Sequence, residues 1–475
     1  MPNPFAPPET DTLSDAPTGT PADHIAQPPE PAITAAPERD PVYLPANARY
    51  RHALHNEVHA RPPARIRMPA LVVYVAVLNT GVSRAAECAH LQRLPGLQHL
   101  SEADLSNHFV RLRNADHSIK WESHNEFSHY TICQPLAPGT GLHSSDTELL
   151  ASLSLSPDWL GNIPGQTMAA IQLLMLHADL DDVATNMATA RTWLGERLTV
   201  ASVIGNNGHS WALTDFALRD SGFERMLVLA PEGTTDTRAG RISQRLLELE
   251  TYRLMALRGL PVAKQLMPML TATERELADI TGQIERGSES DPQLLNHLAT
   301  LAARVEQAIA SHAYRFAASS AYHGIVSQRI AELRERAIPG TTTIGEFMNR
   351  RLSPAMATVS ATANRLSSLS ERITRATALL RTRVDIATET QNQLLLEKLT
   401  KGQDLQLRLQ STVEGLSIAA ISYYVVSLLL YVGKAGKAMG LPIHPEMAAG
   451  AAIPLVLWAV WRTTRRIHEK LHAEH

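Results

Sequence analysis

The feature that most constrains this chain is an uninterrupted apolar segment near its C-terminal end. Residues 415–433, GLSIAAISYYVVSLLLYVG, contain no charged residue and lie between Glu414 and Lys434. A helix of about 20 apolar residues is needed to cross the hydrocarbon core of a bilayer. The segment therefore predicts a first transmembrane helix. A buried helix in a soluble core is the alternative.

A second apolar segment follows after a short loop. Residues 447–461, MAAGAAIPLVLWAVW, are short for a span, but the segment 441–462 is long enough if Arg462 reaches toward the interface. Trp458 and Trp461 suit the edge of a bilayer, and Pro454 is tolerated in a span as a kink. We predict a two-helix hairpin, with a re-entrant second segment as the alternative.

The distribution of basic residues predicts the orientation of this hairpin. Arg465, Arg466 and Lys470 occupy the tail 463–475, directly after Arg462, whereas Lys434 and Lys437 are the basic residues of the loop between the spans. The positive-inside rule therefore predicts a cytoplasmic tail, and two spans place the large N-terminal region on the same side. The N-terminal residues do not form a secretory signal, which agrees with this prediction.

Composition excludes some classes of function. The net charge of −3 and the pI of about 6.7 give no reason to expect nucleic acid as the main partner. Cys88 and Cys133 are too few and too far apart for a disulfide framework or a zinc pattern, and they suit a reducing compartment. Residues 1–45 hold twelve of the 29 prolines without apolar periodicity, and we predict that they form a disordered tail.

Residues 46–232 alternate short apolar runs with amphipathic ones, which is typical of a mixed α/β domain. The run 71–78, LVVYVAVL, predicts a buried strand, and residues 83–94 predict a helix with Ser83 as its N-cap. The strings NADHSIKWESHNEF and GNNGHSWALTDF resemble each other and suggest a duplicated β-α-β-β unit. The other predicted elements are strands 108–113, 118–124, 127–133, 168–176, 198–204, 210–218 and 223–229, and helix 179–193.

Residues 233–414 carry apolar residues at helical spacing and predict a helical stalk or coiled coil. The helices are predicted over 239–286, 292–337 and from 345 onward, with breaks near Pro261, Pro268 and Pro339. From 345 to 433 a continuous helix would approach about 130 Å. Its seam needs partners, and we predict both kinds: the two preceding helices, in a three-helix bundle, and the equivalent helices of other copies, in a homo-oligomer. The seam residues are Leu352, Met356, Val359, Ala363, Leu366, Ile373, Leu380, Val384, Ala387 and Leu394. The predicted fold class is thus α+β: a mixed α/β head, a helical stalk and a C-terminal transmembrane hairpin.

Four strings resemble the family of predicted membrane-anchored bacterial proteins called domain of unknown function 3422. They are LHNEVHARP at 54–62, KWESHNEF at 120–127, LRTRVDIATETQNQLLLEKL at 380–399 and LRLQSTVEGLSIAAISYYVV at 407–426. The resemblance covers about 45–465 and implies a protein of the bacterial inner membrane. It supplies no catalytic residue, because that family has no established activity.

The predicted architecture is also similar to that of CorA-type magnesium transporters, in which a long helix runs from a cytosolic α/β domain into the first span. Those transporters carry a Gly-Met-Asn signature after that span, where this chain has YVGKAGKAMGLP. Lys434 and Lys437 would oppose cation entry there. The similarity therefore implies shape and oligomerisation more than ion selectivity.

The strongest cluster of possible ligands for a metal ion is formed by His55, Glu57 and His59. On a helix His55 and His59 share one face without Glu57, whereas on a strand all three share one face. A metal or acid–base site needs a further ligand, which His124, Glu126 or His129 could supply if the strands are neighbours. The alternative is that these residues form hydrogen bonds that only stabilise the start of the α/β domain. We find no nucleophile elbow, P-loop or dinucleotide motif in the sequence, and we predict no catalytic residue and no cofactor.

Three functions are therefore compatible with the sequence. The first is a membrane-anchored scaffold or sensor with a large cytosolic domain, partnered by the bilayer and by other copies of the chain. The second is a CorA-like transporter or channel without the signature, in which Gly415, Ser417, Ser422 and Ser427 line a pore or a helix interface. The third is a metal-dependent enzyme in the head.

Overall fold

The computed structural model describes residues 47–52, 54–55, 64–137, 142, 146–196, 200–287, 290–439 and 444–472. The chain divides into two units, residues 1–62 and residues 63–475. In the first unit, the amide of Leu54 donates to the carbonyl of Tyr50 at 2.9 Å and forms one helical turn. The tail predicted over 1–45 lies outside the described residues.

The second unit is built on a nine-stranded sheet in the order β2-β3-β4-β1-β5-β8-β7-β6-β9. The predicted strands are present, with ends shifted by a few residues, and β9 is an addition within the predicted stalk. The α+β class is therefore confirmed. The strands are β1 Ala70–Leu78, β2 Phe109–Arg113, β3 Ser118–Ser123, β4 Phe127–Pro135, β5 Gln166–His177, β6 Val200–Ile204, β7 Ser210–Thr214, β8 Glu224–Ala230 and β9 Arg336–Ala337.

Strand β1 lies in the middle of the sheet and contributes to two cores. Its alternate residues point to opposite faces, because side chains in a strand alternate. Val73 and Val75 belong to the core on one face, and Val72 and Tyr74 belong to the core on the other. The sheet therefore separates two apolar layers, which explains why the whole of 70–77 is buried.

Short helices cover the first face of the sheet. Helix α1, Arg84–Gln92, begins at Ser83, whose side chain accepts a hydrogen bond from Ala86 N, as predicted. Helix α4, Val183–Leu194, buries Trp193 in the same core. Between them lie α2, Asp146–Ala151, and α3, Pro157–Gly161, which the sequence analysis did not predict.

Long helices cover the second face. They are α5 Asp236–Leu257, α6 Gly259–Arg286, α7 Asp291–Leu333 and α8 Ile344–Ala438. Helix α5 ends at Leu257 and α6 begins at Gly259, so the predicted break near Pro261 is present, and Pro261 lies in the first turn of α6. Pro268 lies inside α6 without ending it, so the break predicted there is wrong. These helices share one apolar core with the strands. The predicted boundary at residue 232 is therefore a change of secondary structure within one core.

Helix α8 is 95 residues long, and its burial changes along its length. Up to Leu380, which is fully buried, the predicted seam packs against α6 and α7. Beyond this point Ala387 is exposed and Leu394 is 53% exposed. Neither Gly402 nor Gly415 interrupts the helix. Helix α9, Pro445–His472, packs along the end of α8.

The suggested duplication is visible in strand order but not in strand direction. Each half places its last strand beside its first, giving β2-β3-β4-β1 and β6-β7-β8-β5. Strand β1 pairs antiparallel with β4, whereas β5 pairs parallel with β8. The two halves therefore differ in topology at their first strand.

Candidate functional site

On the face of the sheet that is covered by the long helices, strands β3 and β4 carry polar residues, whereas the rest of that face is apolar. Lys120 and Glu122 of β3 point toward the long helices, and their cross-strand partners Thr131 and His129 of β4 lie beside them. Paired residues of antiparallel strands share a face. The central strand contributes Tyr74, whose hydroxyl accepts a hydrogen bond from Thr251 Oγ1 of α5 at 2.9 Å. The string KWESHNEF thus contributes a buried polar surface.

Lys120, Glu122 and His129 form an ionic cluster on this surface. Lys120 Nζ lies 2.7 Å from Glu122 Oε2, and His129 Nε2 lies 3.0 Å from the same oxygen. All three residues are at most 7% exposed. Burial alone would raise the pKa of Glu122, but the hydrogen bond from His129 and the nearby positive charge hold that pKa well below its usual range. Glu122 is therefore ionised at neutral pH.

The imidazole of His129 is oriented by this carboxylate. Burial lowers the pKa of His129 and outweighs the opposing effect of Glu122, so the ring is neutral near pH 7 and Lys120 supplies the compensating charge. The neutral ring donates Nε2–H to Glu122, and its buried Nδ1 has no hydrogen-bond partner within the described protein. Such an atom can accept a hydrogen bond or a proton.

A small cavity lies against this cluster. It has a volume of about 20 Å³ and is lined by Tyr74, His129, Gly240 and Glu248, among others. A space of this size holds about one water molecule. The cluster is thus suited to holding a water molecule rather than a substrate.

Glu126 joins the sheet to the helices. It lies just before β4, is 6% exposed, and pairs with Arg315 of α7 and with Arg258, which lies between α5 and α6. Arg258 Nη1 is 3.4 Å from Glu126 Oε1, and Arg315 Nη1 is 3.3 Å from Oε2. Both carboxylate oxygens therefore accept from arginine. Its contacts identify this predicted metal ligand as an anchor between layers.

Of the remaining predicted metal ligands, the structure describes His124 and His55. The ring of His124 stacks on Phe127 with centroids 4.5 Å apart. His55 belongs to the first unit and is exposed, and Glu57 and His59 lie outside the described residues. Among the described residues, no group of three or more His, Cys, Asp or Glu is arranged to hold a metal ion. The metal site stays a prediction, because Glu57 and His59 are not described.

A second charged cluster was not found by sequence reasoning. Glu224 at the start of β8 and Glu250 of α5 lie beside Arg253, whose Nη2 is 3.8 Å from Glu224 Oε1. Burial and the charge of Glu250 raise the pKa of Glu224 well above its usual range. Two carboxylates therefore share one arginine. Glu224 is distant in sequence from Glu250 and Arg253, so no local pattern indicated that the three residues meet.

Two of the described helices, α8 and Pro445–Arg466 within α9, are long and apolar enough to cross a membrane. Of the 18 residues in the most apolar stretch of α8, 6% are buried by other parts of the chain. Of the predicted pore or packing residues, Ser422 is buried and Ser427 is half-buried, whereas Gly415 and Ser417 are exposed in the single chain. This pattern places Ser422 in the hairpin interior, and a pore remains a prediction.

Comparison with known proteins gives few matches. No curated protein matches this chain. A solved structure described as "structure of the full-length CmaX protein" is similar over 67% of this chain and 91% of that chain, with 13% sequence identity and a TM-score of 0.18. A likeness at that score carries no argument about fold or function. The model of a family described as "Protein of unknown function (DUF3422)" matches residues 46–471, and the chain therefore belongs to that family.

Proposed function

We propose that this protein is a membrane-anchored scaffold or sensor that assembles as a homo-oligomer in the bacterial inner membrane. The observation that supports this proposal most directly is the continuity of α8, which packs in the body up to Leu380 and continues as one helix through the apolar residues 415–433. A single helix fixes the body to the span without a hinge. The body is therefore held at a set distance from the bilayer.

The ends of the apolar segments support insertion. Arg462 lies over the ring of Trp458 at 4.9 Å, and Arg465 lies over the ring of Trp461 at 5.3 Å. Aromatic rings beside basic groups suit the headgroup region. The basic residues that follow α9's apolar part support a cytoplasmic tail and a cytoplasmic body.

The exposed part of α8 between the body and the span supports oligomerisation. Residues 381–414 extend over about 50 Å at about 1.5 Å per residue. Within them Leu395 is 58% exposed, Leu399 is 64% exposed and Leu409 is 67% exposed. Exposed leucines along a lone helix favour association with other helices. The same helix of further copies is the partner that this proposal assigns.

Extraction of membranes tests the anchoring. We expect the full-length chain to stay with the membrane pellet in alkaline carbonate and to need detergent for release. For orientation, Lys437→Cys should react with an impermeant maleimide from the periplasmic side, and Arg466→Cys only after lysis. Recovery of the chain as a soluble protein without detergent would refute the anchoring.

Light scattering of the detergent complex tests the assembly. We expect a discrete oligomer that dissociates in the double variant Leu395→Gln and Leu399→Gln, with Gln403→Glu on the same exposed helix as the matched control. A monomeric wild-type chain would refute the oligomer. Ion flux through vesicles containing the oligomer, lost in Ser422→Ala, would instead favour a transporter.

A further inference from the structure

A basic pocket lies at one end of the polar face of the sheet. Its lining includes Arg65, Arg67 and Arg113, together with His117 and Cys133, and its volume is about 190 Å³. All the lining residues belong to the second unit. The pocket therefore belongs to one unit and is large enough for a small ligand.

The segment before β1 positions two of the three arginines. In the extended segment before β1, Ala64, Ile66 and Met68 are buried, so the alternating Arg65 and Arg67 emerge on one side. The amide of Ile66 donates to the carbonyl of Asp236 at 3.0 Å and fixes the segment to the start of α5.

The sheet supplies the other side of the pocket. Arg113 ends β2 and pairs with Ser118, which in turn pairs with Cys133 of β4. These three residues share the face that carries Lys120 and Glu122. Arg113 is thus held by the sheet, and Arg65 and Arg67 are held by the extended segment whose alternate residues are buried.

Among the described residues, the three arginines have no partner of opposite charge. Within the described part of the chain, no carboxylate lies within ion-pair distance of Arg65, Arg67 or Arg113. Asp116 occupies the adjoining turn without pairing with any of them. Several other arginines of the described residues are paired with a carboxylate, as Arg365 Nη2 is with Glu274 Oε2 at 2.7 Å. Grouped guanidinium groups repel each other unless an anion joins them.

The neutral groups of the pocket are suited to binding. His117 Nδ1 lies 2.7 Å from Ser154 Oγ, and its Nε2 is buried without a hydrogen-bond partner in the described protein. Burial raises the pKa of the Cys133 thiol to about 11, so the thiol stays protonated and is a poor nucleophile. The arrangement therefore favours holding an anion over reacting with it.

We propose that this pocket binds the phosphoryl group of a small phosphorylated ligand. Guanidinium groups present paired N–H donors that match the geometry of phosphate oxygens. The three guanidinium groups together carry more positive charge than a single carboxylate could neutralise. A dianionic phosphoryl group compensates most of that charge. This inference goes beyond the proposed function and does not depend on anchoring, because every residue of the pocket lies in the sheet or beside it.

Binding of inorganic phosphate and pyrophosphate to the full-length chain in detergent tests the proposal. We expect saturable binding by calorimetry at constant ionic strength, with chloride as the reference anion. Arg67→Gln and Arg113→Gln should each weaken binding about tenfold or more, because each removes a hydrogen bond between charged groups. Arg275→Gln, at an exposed and unpaired arginine of α6, is the matched control and should bind normally.

A second measurement needs no variant. Pyrophosphate should slow hydrogen exchange in the wild-type chain at residues 113–118 and leave α6 unchanged. Binding of short-chain phosphatidic acid without binding of inorganic phosphate or pyrophosphate would assign the phosphoryl group to a lipid headgroup and support the site. The proposal fails if none of these anions binds saturably, or if Arg67→Gln, Arg113→Gln and Arg275→Gln bind alike.

Discussion

Replacing Glu126 by glutamine should destabilise the packing of the long helices on the sheet. The carboxylate is 6% exposed and accepts from Arg315 through both oxygens and from Arg258 through one. Glutamine keeps the shape of the side chain but removes its charge. Two guanidinium groups then remain near a buried position without a counter-charge.

The magnitude follows from how deeply each partner lies. Removing one member of a buried ion pair costs about 3–5 kcal/mol, whereas exposed pairs contribute about 0–1 kcal/mol. The side chains of Arg315 and Arg258 are 15% and 26% exposed, so water compensates part of the loss. We therefore expect Glu126→Gln to lower the free energy of unfolding by about 2–3 kcal/mol.

Urea unfolding followed by tryptophan fluorescence is a suitable assay, because Trp121, Trp193 and Trp211 are buried in the sheet layer. Glu276→Gln is the control, since its pair with Arg304 has a similar length of 3.1 Å but both side chains are more than 40% exposed. In a double-mutant cycle, Glu126→Gln and Arg315→Gln should be non-additive by about 1–2 kcal/mol. Equal effects of Glu126→Gln and Glu276→Gln, or full additivity in the cycle, would refute this reasoning.

Three further predictions concern buried groups. Glu224 has a raised pKa, so the folded state retains a proton that the unfolded chain loses above its usual pKa of 4.5. The free energy of unfolding should therefore fall by at most about 1.4 kcal/mol per pH unit as the pH rises from 4.5 through the pKa of Glu224 in the folded state. Glu224→Gln should flatten this fall in urea titrations at several pH values, and a flat wild-type profile would contradict the raised pKa. A Cβ at Gly240 would lie 1.6 Å from Ala64 O, so Gly240→Ala should lower the melting temperature strongly. Gly282→Ala in α6, where a Cβ meets only the end of the Arg286 side chain, is the control and should raise the melting temperature slightly. The opposite order would mean that the contact at Ala64 relaxes freely. Gln172 is fully buried, and its amide atoms have no partner within the described protein, so Gln172→Met should stabilise the chain by about 1 kcal/mol in urea, and a loss of stability would indicate a bound water or ligand.

Local patterns were sufficient to predict much of the fold. The strand at 71–78 was recognisable because Pro69 and a turn bound a β-branched run, and the N-cap at Ser83 follows from residue type. The seam of α8 was predicted correctly up to Leu380, where its partners α6 and α7 stop covering it. Pro268 misled the prediction, because tertiary packing of α6 outweighs the cost of a proline in a helix, whereas the break near Pro261 is present between α5 and α6.

The candidate sites were predictable only in part. Alternation of Lys120 and Glu122 around Trp121 is a signal that polar groups occupy one face of a buried strand, and it could have been read from the sequence. The position of Arg65 and Arg67 beside Arg113 depends on sheet order, which no single segment encodes. For the same reason the pairing of Glu126 with Arg315 could not be anticipated, since the two residues are 189 positions apart.

The exposure pattern of α8 connects the body to the proposed assembly. A change at the sheet, such as a ligand in the basic pocket, can affect the span only through an element that does not bend between them. Residues 381–414 are helical throughout, but a lone helix with exposed leucines has little support against fraying. Packing of the same segment from other copies would supply that support. The rigidity that a sensor requires therefore depends on the exposed leucines of residues 381–414, which are also the surface that favours the oligomer.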